Sequence, residues 1–211
     1  MDLLQQIADS VIRGQDKQTT ELTAQVIARQ ESPKDILDKG LIAGMNVVGE
    51  RFKSHEIFLP DVLLAARAMC AGMDLLKPLL IKDGIPMVGK VVIGSVQGDL
   101  HDIGKNLVGI MLKGAGFDVI DLGNDVAPEA LVAAAKEHQA SVIGMSALLT
   151  TTMSVMGKVV DMVGEQGLTG QIRTIVGGAP VTADFANDIG ADAYGFDAAN
   201  AVDRVKDLAG V

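Results

Sequence analysis

The residues best suited to chemistry lie in one short segment, Gly98-Asp99-Leu100-His101-Asp102-Ile103-Gly104-Lys105-Asn106, where a carboxylate precedes an imidazole by two positions. A carboxylate so placed suits the far ring nitrogen of a metal-bound histidine, whose tautomer and orientation it fixes. Read alone, His101 is equally compatible with a solvated loop residue. A zinc or iron centre built from side chains takes three or four ligands, and no second His or Cys sits nearby. One imidazole suits a metal whose other ligands come from a macrocycle. Two further segments carry polar or glycine-rich character: Ser146-Ala147-Leu148-Leu149-Thr150-Thr151-Thr152, and Gly177-Gly178-Ala179-Pro180. The first reads equally as a helix start rich in N-cap residues. The second reads equally as a strand-to-helix turn, of the kind that binds phosphate or flavin in many unrelated sheets.

Positioning these segments falls to a repeating pattern of short β-branched runs and helical stretches. The runs are Val91-Val92-Ile93, Asp118-Val119-Ile120, Ser141-Val142-Ile143, Thr174-Ile175-Val176 and the weaker Asp192-Ala193-Tyr194. Helices are predicted near residues 103 to 114, 128 to 138, 151 to 165, 182 to 189 and 198 to 209. Five strand-helix units imply an open parallel sheet with helices on both faces. Ligands of such sheets bind outside the carboxyl ends of the strands, so the loops after the first, third and fourth strands should share one edge and one large ligand.

The first 80 or so residues show helical periodicity instead. Leu3, Leu4, Ile7, Val11 and Ile12 form one stripe, and Leu22, Val26 and Ile27 a second. Ile36, Leu37, Leu41, Met45 and Val48 form a third. Val62, Ala66, Met69, Met73 and Leu76 form the fourth, beginning just after Pro60. Four amphipathic helices read as a small antiparallel bundle. Phe58, Met69 and Met73 are expected in its core and Cys70 as a small buried apolar residue. Lys82-Asp83-Gly84-Ile85-Pro86 has the composition of a linker, giving a helical domain over 1–85 and an α/β domain over 86–211.

Composition narrows the classes of partner. Lys and Arg total 18 against 27 Asp and Glu, a formal charge of −9, so a nucleic acid or anionic membrane is not an expected partner. With a single cysteine, disulfides and cysteine-held clusters are excluded, and a reducing compartment is expected. No apolar run reaches the roughly 18 residues of a membrane span. The N-terminus does not resemble a secretion signal, and the expected location is the cytoplasm.

Asp99-x-His101-x-x-Gly104, 41 residues (105 to 145), Ser146-x-Leu148, 28 residues (149 to 176), then Gly177-Gly178 resembles the three-part signature of cobalamin-binding domains. The helical bundle resembles the cap of methyl-carrying corrinoid proteins and of cobalamin-dependent methionine synthase. Together the likenesses span nearly the whole chain and point to the stand-alone corrinoid proteins of three-component methyltransferase systems, with a flavodoxin-like, Rossmann-like cofactor domain. The resemblance implies that cobalamin or a related corrinoid binds here, methylcobalamin in its loaded form, with His101 as the lower axial ligand of cobalt in place of the cofactor's own dimethylbenzimidazole. Asp99 would hydrogen-bond His101 and Thr152 would contact Asp99, a proton-linked relay. Ser146 would hydrogen-bond the displaced base, and Leu148, Leu149 and Thr150 would line its pocket. Gly177, Gly178, Ala179 and Gly195 would border the nucleotide tail, and Gly98, Asp102, Ile103 and Gly104 the rest of the cofactor. The start of the fourth helix would lie over the upper cobalt face, with Phe58, Met69 or Met73 shielding a bound methyl and residues 82 to 88 as hinge.

The same resemblance implies partners: a substrate-specific methyltransferase, an acceptor methyltransferase using tetrahydrofolate or a thiol such as coenzyme M, and a reductive activase. The chain by itself lacks a group to activate a methyl donor. An adenosylcobalamin mutase subunit, a cobalamin sensor and an unrelated flavodoxin-like module are the other readings. A mutase domain usually lacks a helical cap and serves a large barrel, and a sensor needs an output domain.

Overall fold

The structure, a computed structural model, describes residues 2–85 and 87–211. The chain divides into two compact units, Met1–Met87 with Ile110–Gly116, and Val88–Gly109 with Phe117–Val211. Pro86, in the expected linker, lies outside the described residues.

The first unit is helical. Helix α1 spans Leu3–Ile12, α2 Asp16–Ala28, α3 residues 33–53 and α4 Leu59–Lys82. All four expected stripes are present, and their buried members include Ile7, Val11, Leu22, Val26, Ile36, Leu41, Val48, Val62 and Leu76. Helix α3 is composite: Pro33–Asp35 and Ala43–Lys53 are α-helical, and Ile36–Ile42 between them is π-helical. Ile36, Leu37, Gly40 and Leu41 of the π turn are all buried. Close approach of α3 to α1 needs a residue without a side chain, because a Cβ on Gly44 would sit 2.7 Å from the Ala8 carbonyl oxygen. Helix α4 runs through Lys82, so the linker begins at Asp83.

The second unit is α/β. Strands β1 (Lys90–Ser95), β2 (Asp118–Asp121), β3 (Val142–Ser146), β4 (Arg173–Gly177) and β5 (Ala193–Gly195) make one five-stranded sheet in the order β2-β1-β3-β4-β5. Every pairing is parallel. Helices α5 (Ile103–Gly114, of which the residues before Ile110 belong to this unit), α6 (Pro128–His138), α7 (Ser154–Glu165), α8 (Ala183–Asp188) and α9 (Ala198–Ala209) follow the strands in turn. Residues Val91 to Ser95 are buried without a break. Successive side chains of a strand point to opposite faces, so this central strand is covered on both.

The sequence places Ser146 and Gly177 in loops, whereas the structure makes them the last residues of β3 and β4. Parallel register then aligns Ser95 with Ser146, Ser146 with Gly177, and Gly177 with Gly195. One row of small residues therefore marks the carboxyl edge of the sheet. The chain order reverses between β1 and β3, where a parallel sheet of this type leaves its crevice.

Candidate functional site

Two loops meet at that crevice: residues 96–102 after β1 and residues 147–153 after β3. Asp99 joins them. Its Oδ1 accepts from the His101 backbone N–H at 3.1 Å and lies 2.8 Å from His101 Nδ1. Its Oδ2 accepts from the Leu148 and Leu149 N–H groups at 2.7 and 3.1 Å, and the Thr152 hydroxyl is 2.9 Å away. That hydroxyl also lies 2.8 Å from the Leu149 carbonyl. Its single proton serves one acceptor at a time, and the charged one makes the stronger bond.

Burial pushes the Asp99 carboxyl up, but hydrogen bonds from the His101 and Leu148 N–H groups, the His101 ring and the Leu149 N–H outweigh it and hold the group well below the usual carboxylate range. Asp99 is thus an anion that only accepts hydrogen bonds, so the proton between it and His101 sits on Nδ1. A neutral ring so held presents the Nε2 lone pair outward. The His101 side chain is 51% exposed and Asp99 fully buried. Imidazole orientation is therefore fixed from inside while Nε2 is left free to face out.

The loop is braced from the strand ends as well. The Ser95 hydroxyl donates to the His101 carbonyl at 2.6 Å. Asp125, in the left-handed region at φ +53°, accepts from the Gly98 N–H at 2.7 Å and donates its own N–H to the Asp99 carbonyl. Asn124 Nδ2 donates to the Leu100 carbonyl at 3.2 Å. Just past the loop, Asp102 starts α5 by accepting from the Asn106 N–H at 2.7 Å.

The exposed side chains of the two loops are largely apolar: Ile103 is 77% exposed and Leu100 68%, and Leu148 and Leu149 are also exposed. A Cβ built on Gly104 meets nothing within 4 Å, so the space beside the first turn of α5 is open. Among the described residues no three His, Cys, Asp or Glu gather where they could hold a metal ion. The donor set is one imidazole in an uncovered apolar surface. It fits a large cofactor that brings the remaining metal ligands with it.

Comparison with known proteins agrees with that chemistry. The B12 binding domain family matches residues 89–205, and a second B12 binding domain family matches residues 3–77. The chain is 44% identical over 209 residues to the dimethylamine corrinoid protein of Methanosarcina barkeri, covering 98% of this chain and 97% of that one. It is 42% identical over 207 residues to trimethylamine corrinoid protein 1 of Methanosarcina mazei, covering 97% and 96%. The chain belongs to the B12-binding corrinoid proteins of methyltransferase systems. Among solved structures, the methanol:cobalamin methyltransferase complex MtaBC from Methanosarcina barkeri aligns with a TM-score of 0.88 at 33% identity, over 99% of this chain and 80% of that one. As a corrinoid protein it binds cobalamin or a related corrinoid through the Rossmann-like fold described above.

The corrinoid protein's sheet unit brings together Gly98, Asp99, His101, Asp102, Ile103, Gly104, Leu148, Leu149, Thr150 and Thr152 at the two loops, with Ser146, Gly177 and Gly195 in the row at the strand ends. Ala179 is exposed beside Gly178. The glycines at 177 and 178 have a local cause before any ligand is considered. A Cβ on Gly177 would sit 2.9 Å from the Gly195 carbonyl oxygen, and one on Gly178, at φ +129°, would run into the Ala147 carbonyl. Gly195 is enclosed by Ala201 of α9 in the same way.

In the helical unit the expectations divide. Met69 is buried in the core, so its side chain presents no surface to a ligand. Met73 is half-buried. Phe58 is not a core residue: it is the N-cap position of α4 and 69% exposed. Its backbone N–H donates to Asp61 Oδ2 at 3.0 Å, and this end of the helix leaves the ring outside the packed turns. Cys70 is likewise exposed rather than buried, because it falls one position past the Met69 stripe. Sequence reasoning missed Ser95, Asn124, Asp125 and Leu100. Only Asn124-Asp125, a turn-forming pair after a strand, carried a local signal.

Proposed function

We propose that this corrinoid protein carries a methyl group on cobalt between a substrate-specific methyltransferase and an acceptor methyltransferase, with its cofactor bound base-off and His-on. A bound corrinoid would supply a cobalt centre able to accept and release a methyl group. The observation that carries the reading is the His101 ring, held at Nδ1 by a buried anion and open at Nε2.

The chain's own residues have distinct parts in it. His101 Nε2 would hold the cobalt. Asp99 keeps the proton on Nδ1, and the Thr152 hydroxyl, donating to Asp99, lets the strength of that hold vary. Ser146, at the end of β3, hydrogen-bonds the displaced base. Leu148, Leu149 and Thr150 line its pocket, and the row ending in Gly177 and Gly195 leaves the edge free of bulk. Leu100 and Ile103 exchange exposure to water for contact with the corrin ring. Residues 86–211 are the cofactor domain and residues 1–85 the cap domain, with Phe58 and Met73 the candidate side chains for shielding a methyl group.

Methylamines are the first donors to test, given what the dimethylamine and trimethylamine corrinoid proteins are called, and methanol the next. The acceptor is tetrahydrofolate or a thiol such as coenzyme M, and a reductive activase restores oxidised cobalt. The proposed location is the cytoplasm. No helix among the described residues is long and apolar enough to cross a membrane.

Anaerobic reconstitution with hydroxocobalamin tests the reading. Wild type should retain about one cobalt per chain, the count set by one imidazole, with a histidine-ligated spectrum. His101→Ala should lose that spectrum. The loaded protein should then be methylated by a methylamine methyltransferase and its donor. Wild type that retains no corrinoid would sink the proposal, and retention with an unchanged His101→Ala spectrum would remove the His-on part.

A further inference from the structure

His101 carries four polar groups, and three are tied inside the protein. Its backbone N–H and its Nδ1 both meet Asp99 Oδ1, at 3.1 and 2.8 Å. Its carbonyl is held by the Ser95 hydroxyl at 2.6 Å, at the short end for an O–H···O bond. Only Nε2 has no partner among the described residues. Ser95 itself is fully buried. Its backbone is fixed on both sides, the N–H donating to the Gly123 carbonyl and the carbonyl accepting from the Val126 N–H, each at 3.0 Å. Behind it, the Gly123 N–H donates to Asp121 Oδ1, and the buried Lys105 ammonium bridges both Asp121 oxygens at 2.6 Å. The hydroxyl thus reaches from a rigid strand end to a residue six positions on and closes the loop on itself.

We propose that Ser95 is a positioning residue for the axial imidazole, acting on the main chain while Asp99 acts on the ring. A ring anchored at Nδ1 alone can pivot as its Cα moves. Fixing the carbonyl removes that freedom, so Nε2 keeps one direction and one height above the sheet edge. Ser95 is aligned with Ser146 across the β1–β3 pairing, so the same strand register that sets the row of small residues also sets the height of the imidazole. Position 95 lies outside the Asp99-x-His101-x-x-Gly104 pattern and the other two pieces of the signature, and its role follows from the geometry alone. The inference rests on His101 being the cobalt ligand.

The full chain loaded with hydroxocobalamin and titrated with cyanide tests it, because cyanide competes with the imidazole for the axial position. In Ser95→Ala the cyanide concentration that displaces histidine should fall about five-fold, the effect of one neutral hydrogen bond. Ser95→Cys, close in shape and a poor donor, should behave like Ser95→Ala, and Ser95→Thr should recover the wild-type titration. A role confined to stability would lower the thermal midpoint of the cofactor-free chain and leave the cyanide midpoint unmoved. Wild-type displacement in both Ser95→Ala and Ser95→Cys would overturn the inference. Wild type that binds corrinoid without histidine ligation would instead overturn the His-on reading, and this inference with it.

Discussion

In the helical unit the interior is filled by side chains such as Ile7, Ile36, Leu41 and Leu76, and its buried hydroxyls are few: Ser10 and Thr19 pair at 2.8 Å, while Thr23 Oγ1 is buried with no hydrogen-bond partner among the described residues. In the sheet unit, buried polar groups from two loops converge on a single carboxylate. Apolar packing depends on volume and tolerates exchange among side chains of similar size. A hub of directional bonds does not, because removing it leaves several buried donors without acceptors. The first unit is built to be stable, and the second to hold one ring at one angle.

The most severe way to break this contrast is Asp99→Ala. It orphans the His101, Leu148 and Leu149 N–H groups together, and the cofactor-free chain should lose about 4 kcal/mol in chemical denaturation, with no His-on spectrum after reconstitution. Since the Asp99 carboxyl is held below its ordinary range, its stabilisation is complete above about pH 4 and is lost as pH falls toward its folded value. Asp99→Asn should therefore show a shallower fall in stability than wild type between about pH 4 and pH 2, followed by far-UV circular dichroism. Leu41→Ala, at a fully buried core position, should cost about 3 kcal/mol yet leave the reconstituted spectrum unchanged. A spectral change there would show that the two regions are not independent.

Gly178→Ala should come next, at about 2 kcal/mol from backbone strain and the Ala147 contact, and should weaken corrinoid retention measured by gel filtration. Thr152→Val, nearly the same shape without the donor, should cost only about 1 kcal/mol while shifting the histidine-ligated spectrum. Unshifted spectra would confine Thr152 to the start of the turn before α7.

Much of this was readable from residue order. Helices 103–114, 128–138 and 198–209 begin and end as expected, since each begins at a residue suited to a helix start or carries a clean apolar period. The Asp99–His101 pair needed no tertiary information, because two residues of separation suffice to bring carboxylate and ring together. What escaped was set by partners far away in sequence. Strands β3 and β4 extend to Ser146 and Gly177 because pairing with β1 and β5 continues there, and a polar or glycine residue gives no local sign of it. Helix α7 starts at Ser154 and not near 151, since Thr152 is drawn to Asp99. The π turn in α3 is invisible to a period count that tolerates one extra residue per turn. Exposure of Phe58 depends on where α4 begins, which Pro60 fixes only to within a turn.

The reach of Asp99 across 49 to 53 residues also sets an order of events in folding. During synthesis, β1, α5 and β2 leave the ribosome before β3 exists, so Asp99 can meet His101 early while its Oδ2 still lacks its donors. Only when β3 docks against β1 do the Leu148 and Leu149 N–H groups and the Thr152 hydroxyl complete the hub around Asp99. Long-range parallel pairing of this kind is slow to form. The fully bonded Asp99 hub is thus a late step of folding, and under the His-on proposal a histidine-ligated spectrum would report that the centre of the sheet has closed.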